Sequence, residues 1–247
     1  MKRFFVKNIN IPMHTLTDDS HHHVVVCRLK CGDNVILCIG DGIDHVGIIE
    51  KISKNQTIIT IQKSIPNDTE PNIILDLFFA PLTPANIELV IIKGTELGVS
   101  GFYPTVTDFT QGRAAKLQYE RLNRLILESA KQCGRAKLPV VSEVIRFNSA
   151  VEMAKWYNLA VLCYEGEREN NLQRIFKYEA ERSISRECVS GGERKKVAVF
   201  VGPEGGYNAD EIALAKRAGL HVVTLGKRIL RAETAAITSA AIILQNT

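Results

Sequence analysis

Val197-Ala198-Val199-Phe200-Val201-Gly202-Pro203-Glu204-Gly205-Gly206 and His221-Val222-Val223-Thr224-Leu225-Gly226-Lys227-Arg228-Ile229-Leu230-Arg231-Ala232-Glu233-Thr234-Ala235 are the stretches that decide the fold. Each is a short apolar run that breaks into a glycine-bearing turn and then opens a helix. An apolar run of that length, bounded by turn residues, reads as a buried strand. By periodicity alone, strand, turn and helix in succession predict an α/β fold with a doubly wound parallel sheet. Ligands of such sheets sit at the carboxyl ends of the strands. Two turns of this kind, each followed or entered by a Glu, predict a small-molecule site built largely from main chain.

Gly202 and Gly205-Gly206 permit positive φ and close approach of backbone, and Pro203 stiffens the turn. The spacing is not G-x-G-x-x-G, and no P-loop lysine follows. A nucleoside read by main-chain groups is therefore favoured over a phosphate cradle, and a dinucleotide-dependent dehydrogenase is disfavoured. The second turn sets Arg228 and Arg231 beside Ile229 and Leu230. It reads either as a helix start in which Glu233 favours the dipole, or as apolar surface for an adenine ring with arginines near a polyanion.

Outward from these turns the rhythm stays strand-and-helix back to Pro66-Asn67-Asp68-Thr69-Glu70-Pro71, a polar, proline-bracketed stretch that marks a domain boundary. Residues 71–247 form the predicted α/β domain. Strands are expected at 73–79 and 159–163. Helices are expected at 86–97 and 114–133, each closed by a glycine, at 208–218 behind an Asn208/Glu211 capping box, and at 232–244. The last helix is rich in small residues (Ala232, Ala235, Ala236, Ser239, Ala240, Ala241), which lets other chain approach closely. Residues 1–70 read as several short strands, including Val24-Val25-Val26, 34–39, 45–49 and 57–61, and so as a small β-barrel. The charged run 167–196 reads as a solvated helix and loop.

The 247 residues are 45% hydrophobic and 23% charged, with a net charge of +4. That composition supports a sizeable core and permits a polyanionic partner without requiring one. The six cysteines, at 27, 31, 38, 133, 163 and 188, include no C-x-x-C pair, so zinc and dithiol motifs are not expected. His21-His22-His23 lacks acidic or thiol partners at ligand spacing, and no metal is expected there. No apolar run reaches the about 18 residues of a membrane span. A cytoplasmic protein is the expectation.

The paired glycine motifs resemble the signature of the ribosomal RNA small subunit methyltransferase E family. Further stretches are similar in order along nearly the whole chain: His22 to Asp33, Lys93-Gly94-Thr95-Glu96-Leu97-Gly98-Val99, Glu128 to Arg135, and Tyr164-Glu165-Gly166. The resemblance implies an N-terminal PUA-like barrel at 1–70 and a SPOUT domain with a deep trefoil knot at 71–247. It implies S-adenosyl-L-methionine held by Tyr164, Glu165, Gly166, Val201, Gly202, Pro203, Gly205, Gly206, Leu225, Gly226, Ile229, Leu230 and Ala235. It further implies a homodimer, no membrane or DNA partner, and methylation of N3 of a uridine in 16S ribosomal RNA, free or in the assembled small subunit. Arg231 and Arg135 are the candidates for stabilising the uridylate charge, and Glu204 for orienting the base or taking its proton. Arg28, Lys30 and Arg113 are candidate RNA contacts.

The chain also departs from that pattern. Phe109 stands where the family usually has arginine, Gly94 where alanine is usual, Pro81-Leu82-Thr83-Pro84-Ala85 lacks the usual Lys-Gly, and 170–196 runs long. These bear on substrate contacts, not on the cofactor turns. The alternatives are a non-catalytic RNA-binding or assembly protein on the same fold, or a SPOUT enzyme with another RNA target.

Overall fold

The computed structural model describes residues 1–110, 117–177 and 194–245. The chain divides into two compact units, Met1–Glu70 with Leu127–Leu138, and Pro71–Ile126 with Pro139–Thr247. The division at Glu70 falls inside the proline-bracketed stretch, and a second segment, Leu127–Leu138, joins the N-terminal unit. None of the helices among the described residues is long and apolar enough to cross a membrane.

The N-terminal unit comprises β1 (Lys2–Phe5), β2 (Met13–Leu16), α1 (Asp18–Val26), β3 (Asn34–Cys38), β4 (Ile43–Ile52) and β5 (Thr57–Pro66). Its sheet runs β1-β3-β4-β5-β2, with only the β1–β3 pair parallel. The pairing of β4 with β5 shifts register at Val46/Gly47 and Ile49/Lys51. Such irregularities increase twist and let a five-stranded sheet curl around Phe4, Leu16, Val35, Leu37, Ile49 and Ile59. Val24-Val25-Val26, expected as a strand, instead closes α1. Three β-branched residues favour a strand, but Asp18 and Asp19 suit a helical first turn. His21 and Val24, three apart, also turn inward together, leaving Val25 and Val26 exposed. Buried His21 is anchored through Nδ1 to Thr57 Oγ1 at 2.9 Å and through Nε2 to the Lys54 carbonyl at 3.2 Å.

The C-terminal unit contains β6 (Ile74–Phe79), α2 (Pro84–Leu97), β7 (Gly101–Val106), the start of α3 (Tyr119–Cys133), β8 (Val140–Val141), β9 (Ile145–Arg146), α4 (Phe147–Met153), β10 (Leu159–Cys163), β11 (Lys196–Val201), α5 (Ala209–Arg217), β12 (His221–Val223) and α6 (Ala232–Leu244). The sheet is parallel throughout, ordered β12-β10-β11-β6-β7-β8, with β9 also on β7. Alternate residues feed two cores. Leu75, Leu77, Phe79, Val197, Val199 and Val201 pack with Ile87, Val90 and Ile91 of α2 and Ala232, Ala236, Ala240 and Ile243 of α6. Phe78, Ala198 and Phe200 pack with Phe147, Ala150 and Val151 of α4 and Ala215 of α5. Burial on both faces is why these strands read as continuous apolar runs rather than alternating ones.

Gly94 has a packing reason. A Cβ there would lie 2.6 Å from Cε1 of Phe102, a fully buried ring on β7. Alanine fits this position only if that ring moves.

Candidate functional site

β10 lies between β11 and β12, so the chain leaves it to pair first on one side and then on the other. That is a switch point of a parallel sheet, and the loops after the three strands converge above it. They enclose a cavity of about 270 Å³. Of the residues expected to hold a cofactor, Tyr164, Glu165, Val201, Gly202, Pro203, Gly206, Leu225, Gly226, Ile229, Leu230 and Ala235 line it, as do Glu204 and Arg231. Gly166 and Gly205 do not, and they shape the loops instead. The Tyr164 ring lies over Gly166, and a Cβ on Gly205 would be 3.1 Å from Phe109 Cβ.

Of the three glycines in the first turn, only Gly206 uses the left-handed region, at φ +72°. Its N–H donates to the Pro203 carbonyl at 2.9 Å and closes the turn. The Glu165 carboxylate occupies the space a side chain on Gly206 would need. Gly202 is required for room, because a Cβ there would approach the Tyr207 ring at 2.9 Å. Tyr207 is buried beside Phe147, and desolvation raises its phenol pKa well above the ordinary range. Cys163, at the end of β10, is likewise pushed up to about 12 by burial. Neither group supplies an ionised nucleophile, so both serve as walls.

The third loop is tied through Thr224 to the segment that follows β10. Its N–H donates to Asn170 O at 2.7 Å, its carbonyl accepts from Leu172 N at 3.2 Å, and its hydroxyl bonds to Gly226. Arg231 is the N-cap of α6, whose ladder begins with Ala235 N to Arg231 O at 2.8 Å. The 164–170 loop is held by Glu167 Oε1, which accepts from the N–H groups of Arg168, Glu169 and Asn170 at 2.9 to 3.1 Å. Those bonds, the one from Glu169 first, hold its pKa below the ordinary carboxylate value.

Leu225, Ile229, Leu230 and Ala235 give the cavity apolar lining, and Gly202, Gly206 and Gly226 line it with bare backbone. Arg168, Lys227, Arg228 and Arg231 stand on its lining with Glu165 and Glu204. Among the described residues no ion pair engages any of those four cations. Sequence reasoning set Arg228 beside the apolar turn residues but missed Cys163, Arg168, Tyr207, Thr224, Lys227 and Ala232 as lining residues. Arg168 lay in a run that read as solvated, and nothing local shows that Asn170 and Leu172 bond to Thr224 just beyond β12.

Arg135 is not brought to this cavity. It is buried in the N-terminal unit, and its Nε and Nη2 each reach the Glu70 carboxylate at 2.9 Å. The structure sets it on that ion pair, and it is not among the residues that line the cavity. Arg28 and Lys30 are exposed on the N-terminal unit, following α1. Arg113 lies outside the described residues.

An RNA methyltransferase domain family matches residues 69–244, and an RNA methyltransferase PUA domain family matches residues 16–62. The chain is 31% identical over 229 residues to the ribosomal RNA small subunit methyltransferase E of Rickettsia conorii, covering 92% of this chain and 87% of that protein. It is 27% identical to the enzyme of that name from Bacillus subtilis, covering 95% and 93%. The fold superposes with a TM-score of 0.79 on the crystal structure of a ribosomal RNA small subunit methyltransferase E from Neisseria gonorrhoeae bound to S-adenosyl methionine, at 26% identity over 100% of this chain and 98% of that one. The parallel sheet flanked by helices is thus that of a SPOUT methyltransferase, joined to a PUA-type barrel, and the chain belongs to the ribosomal RNA small subunit methyltransferase E family.

Proposed function

We propose that this protein binds S-adenosylmethionine in the cavity above β10, β11 and β12 and methylates N3 of a uridine in 16S ribosomal RNA. The observation that carries the reading is the convergence of three loops from adjacent parallel strands on one cavity lined by apolar side chains, by glycines and by four cations. The residues fit the group. Leu225, Ile229, Leu230 and Ala235 suit an adenine face, main-chain groups of the loops suit its edges, and the bare backbone at Gly202 and Gly206 gives close approach. The knot implied by the family would thread through these same loops.

When bound, S-adenosylmethionine supplies an electrophilic methyl on a sulfonium. The harder demand falls on the acceptor, because uridine N3 carries a proton at neutral pH. Glu204, exposed on the cavity, would accept that proton at its carboxylate. Arg231, exposed on the cavity and without an ion pair among the described residues, would balance the negative charge that grows on the uracil oxygens. Arg168, Lys227 and Arg228 add positive potential for the RNA backbone. Arg28 and Lys30 would add phosphate contacts on the barrel. The same reading makes the protein a cytoplasmic homodimer acting on 16S ribosomal RNA or the assembled small subunit.

Mass-spectrometric nucleoside analysis of 16S ribosomal RNA from cells with and without the gene tests this. Loss of 3-methyluridine on deletion, restored by the wild-type protein, is the expected result. Unchanged 3-methyluridine with loss of a different methylated nucleoside would overturn the target while keeping the reaction. No change in any nucleoside would overturn the reaction as well.

A further inference from the structure

Phe109 has no part in either core, and its side chain is 47% exposed. A single exposed apolar residue needs no explanation by itself. The turn that carries this one is held far more firmly than a solvent loop requires. Thr110 N donates to Thr107 O at 3.0 Å, and Thr107 N donates to Thr110 Oγ1 at 2.9 Å. Next to them, buried Glu211 extends its capping box one contact further. Its carboxylate accepts from Asn208 N at 3.0 Å and from Asp108 N at 2.9 Å, and the Asn208 amide donates to Asp108. The N-terminus of α5 therefore locks a turn about a hundred residues earlier in the chain and presents the ring of Phe109.

The ring is presented at the site. Phe109 Cβ lies against Gly205, and the residues on either side, Glu204 and Gly206, line the cavity. One edge of the glycine turn thus faces the cavity and the other faces an exposed aromatic. The cations of the lining, which no ion pair engages among the described residues, favour a polyanion at this mouth.

We propose that Phe109 is a stacking platform for an unstacked base of the substrate RNA beside the methyl-transfer cavity. This rests on the RNA-methylating function proposed above. Aromatic faces stack on any base, and single-stranded RNA is recognised largely in this way. Glu211 is then a positioning residue, since it touches the turn and not the base.

The experiment measures affinity for a fluorescent single-stranded 16S-derived oligonucleotide by anisotropy, using the full chain and its Phe109→Ala, Phe109→Leu and Phe109→Trp variants. Each variant is also assayed for S-adenosylmethionine affinity by calorimetry and for sedimentation. Stacking predicts that Ala and Leu weaken RNA binding by roughly 5- to 100-fold while Trp retains it. Cofactor affinity and sedimentation should be unchanged. Leu behaving as wild type, Ala losing nothing, or a changed sedimentation coefficient would each overturn the proposal, the last because the ring would then cover a second copy of this chain. Methylation by the wild type is scored separately, so a protein that binds RNA through Phe109 but makes no 3-methyluridine would refute the proposed reaction and not the platform.

Discussion

Two arginines, one in each unit, show how differently the same side chain is used. Arg135 is buried and gripped in bidentate fashion by Glu70, and close by Arg3, Asp44, Cys38 and Asn67 form a second buried polar cluster. Arg231 is exposed on a cavity, caps a helix through its backbone, and has no ion pair among the described residues. A buried charge must be paired because desolvation is expensive, so its partner is an architectural commitment. A cation left unpaired on a concave surface keeps its capacity to bind something else. The contrast sets a buried, paired charge that holds the N-terminal unit against a cavity-lining cation in the C-terminal unit that stays open to a ligand.

The largest effect should come from breaking the buried side of this contrast. Asp44→Ala leaves the Arg3 guanidinium buried without its carboxylate and should cost about 3–5 kcal/mol of stability by denaturant titration. A loss under 1 kcal/mol would mean the cluster is not architectural. Arg231→Ala should do the reverse, lowering methylation roughly 10²- to 10³-fold with the unfolding midpoint unchanged. An active Arg231→Ala, or one that is unstable and inactive together, would erase the distinction between the two arginines.

Gly94→Ala drives a methyl toward Phe102 and should destabilise by about 1–3 kcal/mol. A double-mutant cycle with Phe102→Leu should recover part of that loss, and strict additivity would show that the ring is not the obstacle. Asn208→Ala removes the cap of α5 and should cost about 1 kcal/mol, measured by thermal unfolding.

A pH titration probes the buried side of this comparison. Burial opposes ionisation of Asp44, but hydrogen bonds from Arg3 and Asn67 outweigh it and hold its pKa below the ordinary 3.8. A depressed acid contributes stability that is fully present above 3.8 and fades as pH falls through the lower folded-state value. Stability should therefore drop in that acid window, and the part due to this carboxylate should vanish in Asp44→Asn. An unchanged acid limb in that variant would contradict the pairing.

Much of the C-terminal unit was legible because buried parallel strands and capped helices write local signals. The runs 197–201 and 159–163, the Asn208/Glu211 box and the Gly98 stop, at φ +111°, all stand where their residue types place them. What failed was non-local. Val24-Val25-Val26 has the residues of a strand, yet became helix because burying His21 and Val24 together against Thr57 outweighs a weak intrinsic preference. Strand β7, with Pro104 inside it, carries a poor strand signal and was missed, since its place beside β6 comes from the sheet.

The site divides the same way. Sequence by itself determined that two glycine turns follow two buried strands, because strand length, turn chemistry and helix caps are properties of neighbours along the chain. The resemblance of those turns to one family named the ligand class. Only the tertiary structure decided that β10 lies between the strands that end in those turns, that Arg168 joins the cavity lining, that Arg135 is spent on Glu70, and that Phe109 stands beside Gly205. Each of these depends on which distant groups meet, and burial and pairing across long separations, rather than any local pattern, set those meetings.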